Sequence, residues 1–405
     1  MAFELSPSDL EPLLQGACFF GSGGGGTMIS ARHLAANFRK GDYYPTDKVR
    51  VVDVDEATDG DCVMVAYMGA PDAINQVQWP NGPVEAALAA RQRLESQGRK
   101  LAYVVAPESG ALGFVVASLV AAKLGLAVVD ADGAGRAVPS LPMLTYAAAG
   151  VPPTPAFLAG ESGLCVELGV RMPPPDGQRR EDISTVVEQM LRPILTNPQF
   201  GQFGGLAMWM MSPAQLGGAL PVRGTLSRAL KLGRALQDGK VKTAEAMLDF
   251  LRRELDIKGK LLFGPATLAS PEVSTAGGFD LGKVVLEDGE RRCTVLYQNE
   301  SLLAWDSALS HPLATAPDAI SYFVEGEGQH VFSNGDLSGN DHGLDPSVRG
   351  RKAAVIALPA AAPLSEGLIL QSFADELAQL GYLGPYAPVD AGRERARLEH
   401  HHHHH

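Results

Sequence analysis

Histidine, cysteine and positive charge are all scarce in this chain of 405 residues. Six of its ten histidines form the terminal run His400 to His405, which with Leu398 and Glu399 reads as an expression tag (residues 398–405) and leaves four histidines elsewhere. The four cysteines, Cys18, Cys62, Cys165 and Cys293, lie far apart with no C-x-x-C pair, so neither a zinc ribbon nor a redox pair is indicated. The expected compartment is the reducing cytoplasm. Lys and Arg number 34 against 46 Asp and Glu, a net charge of −12. A surface of that sign gains no counterion release from DNA or RNA, so nucleic acid is not an expected partner. Only 20% of residues are charged and 45% are hydrophobic, which suits a buried core and excludes a disordered chain. The one long apolar run, Ala111 to Val129, is broken by Lys123 and Gly125 and ends at Asp130, which divides it into a buried helix and a buried strand. No membrane span is expected, and Met1-Ala2-Phe3-Glu4 carries an acid where a signal peptide carries a base.

At about 100 to 200 residues per domain the length suits two domains. Residues 1–172 alternate strand and helix patterns: Val49 to Asp55 as a strand, Pro83 to Gln97 as a helix, Leu101 to Val105 as a strand, Ser109 to Leu124 as a helix, Leu126 to Val129 as a strand. The last three form a right-handed crossover, so a three-layer α/β domain with a mostly parallel sheet is expected. The stretch Met172 to Gly177 is proline-rich and reads as a hinge. In residues 173–390 the pattern changes. Ile183, Val186, Val187, Met190, Leu191 and Ile194 fall at helical spacing, and Leu226 to Leu236 and Ala244 to Leu255 predict two more helices. From Lys260 onward short β-rich runs predict a β-barrel-like domain carrying those helices as an insertion. A last helix around Leu368 to Leu380 is placed to pack back on the first domain.

The densest local signal is Gly21-Ser22-Gly23-Gly24-Gly25-Gly26-Thr27, running into a helix. Consecutive glycines let backbone N–H groups converge on an anion or a carbonyl oxygen, and the helix N-terminus adds a positive dipole end. The spacing also fits the dinucleotide fingerprint, but that motif needs a preceding strand, and Pro7 to Gln15 is helical in pattern. A ligand-binding loop is the favoured reading, a flexible hinge the structural one. Ligands of parallel sheets sit outside the carboxyl ends of the strands. There the chain places Asp53, Asp55 and Glu56, then Glu108, then Asp130 and Asp132, and the glycine loop is expected to face them. Such acids can act as general acid and base or hold a hard cation, and each can also simply cap the next helix.

Other constellations are weaker. His311, His330 and His342 with Asp341 or Asp345 lack any metal spacing and read as surface or structural residues. No G-x-S-x-G elbow exists. Residues 221–260 hold ten Lys and Arg against five Asp and Glu, alternating with leucines as a solvated helical face does. Met208-Trp209-Met210-Met211 reads as core or pocket lining.

The glycine loop, Asp53-Val54-Asp55 before Asp59-Gly60, the run Asp130-Ala131-Asp132-Gly133-Ala134-Gly135-Arg136-Ala137-Val138-Pro139, and Gln298-Asn299-Glu300 together resemble the S-methyl-thiohydantoin desulfurase family, from about residue 8 to 390. The resemblance implies a three-layer α/β domain plus a β-barrel-like one, and hydrolysis of a carbon–sulfur bond on a hydantoin-like ring. On these residues Glu108 or Asp132 would deprotonate water and Asp55 would protonate a ring nitrogen. Ser22, Gly23, Gly24, Gly25 and Gly26 would hold a ring carbonyl or a carboxylate tail, Arg136 would clamp a substrate carboxylate, and Asn299 and Glu300 would reach in from the second domain. A small-molecule substrate is the expected partner and a homo-oligomer is compatible with the sequence. No cofactor is required, although a divalent, oxygen-bound cation would suit the acidic rim. Two rivals stand beside this reading: a non-enzymatic protein that binds or senses a small anion, and a metal-dependent cyclic amidohydrolase.

Overall fold

Buried β-branched runs build the first sheet. The computed structural model describes residues 1–172, 182–269, 272–276, 279–337, 348 and 350–390. Strands β1 (Phe3–Leu5), β2 (Val49–Val52), β3 (Asp61–Gly69), β4 (Leu101–Val105), β5 (Ala127–Val129), β6 (Ala156–Ala159), β7 (Cys165–Leu168) and β8 (Phe203–Met211) form one eight-stranded sheet in the order β1-β2-β5-β4-β3-β8-β6-β7. The sheet is mixed. Its centre, β2-β5-β4-β3, is parallel, and the β1, β8, β6 and β7 pairings are antiparallel. Alternate residues of β3 divide between two cores: Val63 and Val65 face one, Cys62, Met64, Ala66 and Met68 the other. Both faces are therefore covered, as a parallel sheet requires.

The apolar run from Ala111 becomes the helix Ala111–Leu124, closed by left-handed Gly125 (φ 69°), and then β5. Nearly every side chain of that helix is buried, because it is sandwiched between the sheet and the helices Leu10–Phe20 and Met28–Ala36. Among the described residues no helix is long and apolar enough to cross a membrane.

The chain returns to this sheet after the proline-rich stretch, which apart from Met172 lies outside the described residues. Strand β8 inserts between β3 and β6. The helix Thr225–Gln237, expected as part of an insertion into the second domain, packs instead on Leu10–Phe20. Two glycines allow that approach: a Cβ on Gly16 would stand 1.7 Å from the Ala229 carbonyl oxygen, and one on Gly233 1.6 Å from that of Pro12.

The second sheet begins at Lys260. Strands β9 (Lys260–Leu268), β10 (Glu272–Ala276), β11 (Phe279–Asp288), β12 (Arg291–Gln298), β13 (Glu300–Asp306), β14 (Ala314–Thr315), β15 (Ala319–Val324) and β16 (Lys352–Leu358) pair antiparallel in the order β14-β13-β12-β11-β9-β16-β15, with β10 on β11. The end strand β15 comes back against β14 and β13 at the other end with no ladder between them among the described residues, which makes a half-barrel around Val284, Val295, Ile320 and Val355. The final helix, Gly367–Gln379, buries Ile369 and Phe373 in the same core as Met64 and Trp209 of the first sheet.

The two glycines of the helix crossing define a first test. Gly233→Ala should lower the unfolding free energy by about 1–3 kcal/mol, the cost of overpacking. Gly218→Ala, at an exposed position of the helix Pro213–Ala219 with open space around it, should be neutral or slightly stabilising. Urea midpoints with unchanged slope check both, and equal midpoints for the two variants would remove the close crossing.

Candidate active site

A cavity of about 180 Å³ opens where the carboxyl ends of β3 and β4 meet the turn between β12 and β13. Gly23 to Gly26, Glu108, Asn299 and Glu300 all line it, so the glycine loop and one acidic strand end do face each other. Met64, Met68, Leu144 and Leu206 supply apolar wall, and Arg192, from the helix Ile183–Ile194, supplies a cation whose Nε stands 3.6 Å from Glu188.

The loop is fixed by its carbonyls. The N–H of Ser301 donates to Ser22 O (2.7 Å), that of Asn334 to Gly23 O (2.7 Å) and that of Leu112 to Gly25 O (3.0 Å). Four residues take left-handed backbone conformations: Ser22 (φ 52°), Gly23 (77°), Gly25 (84°) and Gly26 (87°). Gly24 has no room for a side chain, since a Cβ there would lie 2.4 Å from Glu300 Cγ. Among the described residues the N–H groups of Gly25 and Gly26 have no hydrogen-bond partner, and both glycines line the cavity. They are the donors available to a ligand oxygen.

Two expectations about this loop change. The Ser22 hydroxyl is wholly buried and accepts the N–H of Ile320 (2.8 Å), so it is turned into the half-barrel and away from the cavity. The N-terminus of the helix Met28–Ala36 is already held by a carboxylate, because Met28 N–H donates to Asp336 Oδ1 (2.9 Å). Asp336 also accepts from the N–H (2.8 Å) and hydroxyl (2.9 Å) of Ser333, and burial raises it to about 6. Its neighbour Asn334 donates to Asn299 O and Ser301 Oγ, both at 3.1 Å, and accepts from the Tyr322 hydroxyl (2.7 Å). Ser333-Asn334-Gly335-Asp336 therefore clamps the glycine loop from the second sheet. Sequence reasoning missed it, although a Ser-Asn-Gly-Asp run is dense in the side chains that hold turns and helix starts.

The expected acids separate into distinct roles. Glu108 faces the cavity, and its Oε2 accepts the Val138 N–H (2.8 Å). Burial raises it well above the ordinary carboxylate range, the nearby Glu300 adds to the shift, and the Val138 N–H opposes it. Glu300 is buried, its Oε2 has no hydrogen-bond partner among the described residues, and burial raises it to about 8 against the opposing charge of Arg136. Asn299, in the left-handed conformation (φ 55°), makes the turn that delivers it.

Asp132 does not reach the cavity. It is fully buried behind it, accepting the Ser109 hydroxyl (2.6 Å) and the N–H groups of Ala134 (2.7 Å) and Gly135 (2.6 Å), and so ties the Glu108 loop to the next one. Asp130 caps the helix Thr225–Gln237 through the N–H groups of Leu226 (2.9 Å) and Ser227 (3.0 Å), the bland role always open to an acid after a strand. Asp55 is exposed, does not line the cavity, and is paired with Arg223 (3.0 Å). Arg136, expected to clamp a substrate, donates instead to four carbonyl oxygens, those of Ala137, Pro317, Asp318 and Ser301, at 2.8 to 3.2 Å, and so rivets the two parts together. The cation the cavity presents is Arg192.

Among the described residues no group of three or more His, Cys, Asp and Glu is placed to hold a metal ion. His311 is exposed; His330 lies flat on Phe323 with Nδ1 2.7 Å from Val324 O; His342, Asp341 and Asp345 lie outside the described residues.

Fold and cavity define an α/β unit joined to a half-barrel, with a cavity at the junction. Family models described as S-Me-THD-like, N-terminal domain and S-Me-THD-like, C-terminal domain match residues 8–169 and 181–373. The chain belongs to the S-methyl-thiohydantoin desulfurase family. It is similar to a protein from Chromobacterium violaceum solved by X-ray crystallography as a Northeast Structural Genomics Consortium target, with 96% identity, a TM-score of 0.91, and coverage of 96% of this chain and 100% of that one. No curated protein matches.

Glu300 gives this site a pH signature. Its folded value lies above the roughly 4.3 of an unfolded glutamate, so the stability it contributes is full below that value and is lost as pH rises through about 8. The melting temperature of Glu300→Gln should therefore gain on that of the parent protein between pH 5 and pH 9. A constant difference across that range would mean Glu300 is ionised throughout.

Proposed function

We propose that the cavity hydrolyses the carbon–sulfur bond of an S-methyl thiohydantoin, releasing methanethiol and leaving the ring carbonyl of a hydantoin. One observation carries this reading: two carboxyl side chains that line one cavity, Glu108 from the first sheet's strand ends and Glu300 from the second sheet, are both raised by burial. A pair that interacts this strongly takes up and gives off protons as a unit, so one member can hold a proton while the other is bare.

Glu108, steadied by the Val138 N–H and open to the cavity, is the base that takes a proton from water. Glu300, with an oxygen free of partners among the described residues, is the acid that protonates the ring nitrogen. The water oxygen bonds to the ring carbon bearing sulfur, the carbon–nitrogen double bond becomes single, and a tetrahedral carbon forms. Its collapse breaks the carbon–sulfur bond, and the proton now on Glu108 leaves with the thiolate as methanethiol. The hydroxyl proton left on the carbon returns to Glu300, so both carboxyls end as they began. The N–H groups of Gly25 and Gly26, which line the cavity, hold a ring carbonyl oxygen through these steps. Asp132 is a positioning residue, because it fixes Ser109 and the loop beyond it without touching the cavity. Asp55 has no part.

Hydantoins, thiohydantoins and S-methyl thiohydantoins, followed separately for thiol release and ring opening, test the reading. Thiol release is expected; ring opening would make the protein a cyclic amidohydrolase, and saturable binding without turnover a sensor. Glu108→Gln should retain the parent melting temperature and lose roughly 100-fold or more in turnover, the scale of lost acid–base catalysis. Asp132→Asn should lower the melting temperature as well, since its oxygens accept three hydrogen bonds.

A further inference from the structure

A second, smaller cavity of about 100 Å³ lies between the loop Ala134 to Arg136 of the first sheet and Pro317, Ala319 and Leu358 of the second. Two guanidinium groups, Arg136 and Arg228, line it, and the rest of its wall is apolar or backbone, including Val222, Pro317, Ala319 and Leu358. Buried charges are ordinarily paired. Here neither arginine makes an ion pair with a carboxylate among the described residues. Glu300, Asp318 and Glu108 act on Arg136, and Asp132 and Asp130 on Arg228, without an ion-pair contact, and the oxygens of Asp318 accept from Ala360, Tyr386 and Val389.

Arg228 is the less satisfied of the two. Its Nη2 donates to Gly135 O (2.7 Å) and its guanidinium lies over the Phe20 ring at 4.2 Å, yet its Nε is buried without a hydrogen-bond partner among the described residues. A ring face offsets part of a cation's desolvation but satisfies no N–H. Two cations converge on one small space whose half-exposed rim, at Val222, Ile257 and Pro359, leaves it open to solvent.

We propose that this cavity is a binding site for a small oxyanion, held between Arg136 and Arg228 and bridging the α/β unit to the half-barrel. A volume of several waters admits an anion of four or five heavy atoms, and a guanidinium is the group best matched to phosphate or carboxylate oxygens. The inference is independent of the proposed activity, because neither Glu108 nor the glycine loop lines this space.

Thermal melts in sodium phosphate, sodium acetate and sodium chloride at matched pH and ionic strength test it. In the parent protein at 50 mM phosphate the melting temperature should exceed that in chloride by about 2 °C or more, as mass action on the folded state requires. A response to acetate alone would assign the site to carboxylates and a response to both to oxyanions at large. Arg228→Met, which keeps the packing on Phe20, should abolish the difference. Val222→Glu places an internal carboxylate beside the guanidiniums; it should melt higher than the parent protein in chloride and no longer respond to phosphate. Val222→Glu decides the matter if Arg228→Met does not fold. Equal melting in the three salts, or a phosphate shift that survives Val222→Glu, overturns the proposal.

Discussion

The hydrogen bonds that the second sheet donates to the glycine loop are the constraint on which the site depends. Ser301 and Asn334 each give a backbone N–H to a loop carbonyl, so the loop serves as an edge that the half-barrel recognises. Only a chain free to take positive φ, with no Cβ at Gly24, can lie in that gap. The same contacts that fix its carbonyls leave the N–H groups of Gly25 and Gly26 for a ligand. Cavity wall and domain interface are thus two sides of one peptide run, and a change that loosens the junction also loosens that wall.

Charge at this junction is arranged around Arg136. Glu300 and Asp318 both act on it, four of its five N–H donors go to carbonyl oxygens, and burial lowers it to about 10, which leaves it protonated at neutral pH. Without it Glu300 would rise further, since its charge is the largest of the influences that oppose burial there, ahead of a backbone N–H and Arg192. The arginine expected to touch a substrate instead moderates a carboxyl that lines the cavity. Its contribution is a field and a fixed geometry.

The features legible in sequence were those set by local periodicity or local composition. The crossover from Leu101 to Val129 showed because its helix and strand differ in length and residue type, and the glycine loop showed because few other structures need such a run. What sequence could not separate was the direction of side chains on irregular loops. Glu108, Asp130 and Asp132 all follow strands, yet one faces the cavity, one caps a helix and one ties two loops together, a choice made by residues as remote as Leu226 and Val138. The same holds for cations, because Arg136 sat beside the striking motif while Arg192 sat in an ordinary amphipathic helix. Strand β8 hid its partners for a different reason: nothing in Phe203 to Met211 states that its neighbours lie on either side of it at β3 and β6.

That placement of β8 bears on how such a chain could be divided. The family's two sequence segments meet near residue 175, but the sheet does not part there. The hairpin of β6 and β7 reaches the rest of the first sheet only through β8, which lies in the later segment. A fragment ending before it would leave the hairpin detached and expose the edge of β3, a nine-residue strand buried along most of its length. The unit that can be inherited, fused or split is therefore the whole chain, with β8 as the stitch that makes two stretches of sequence one folded object.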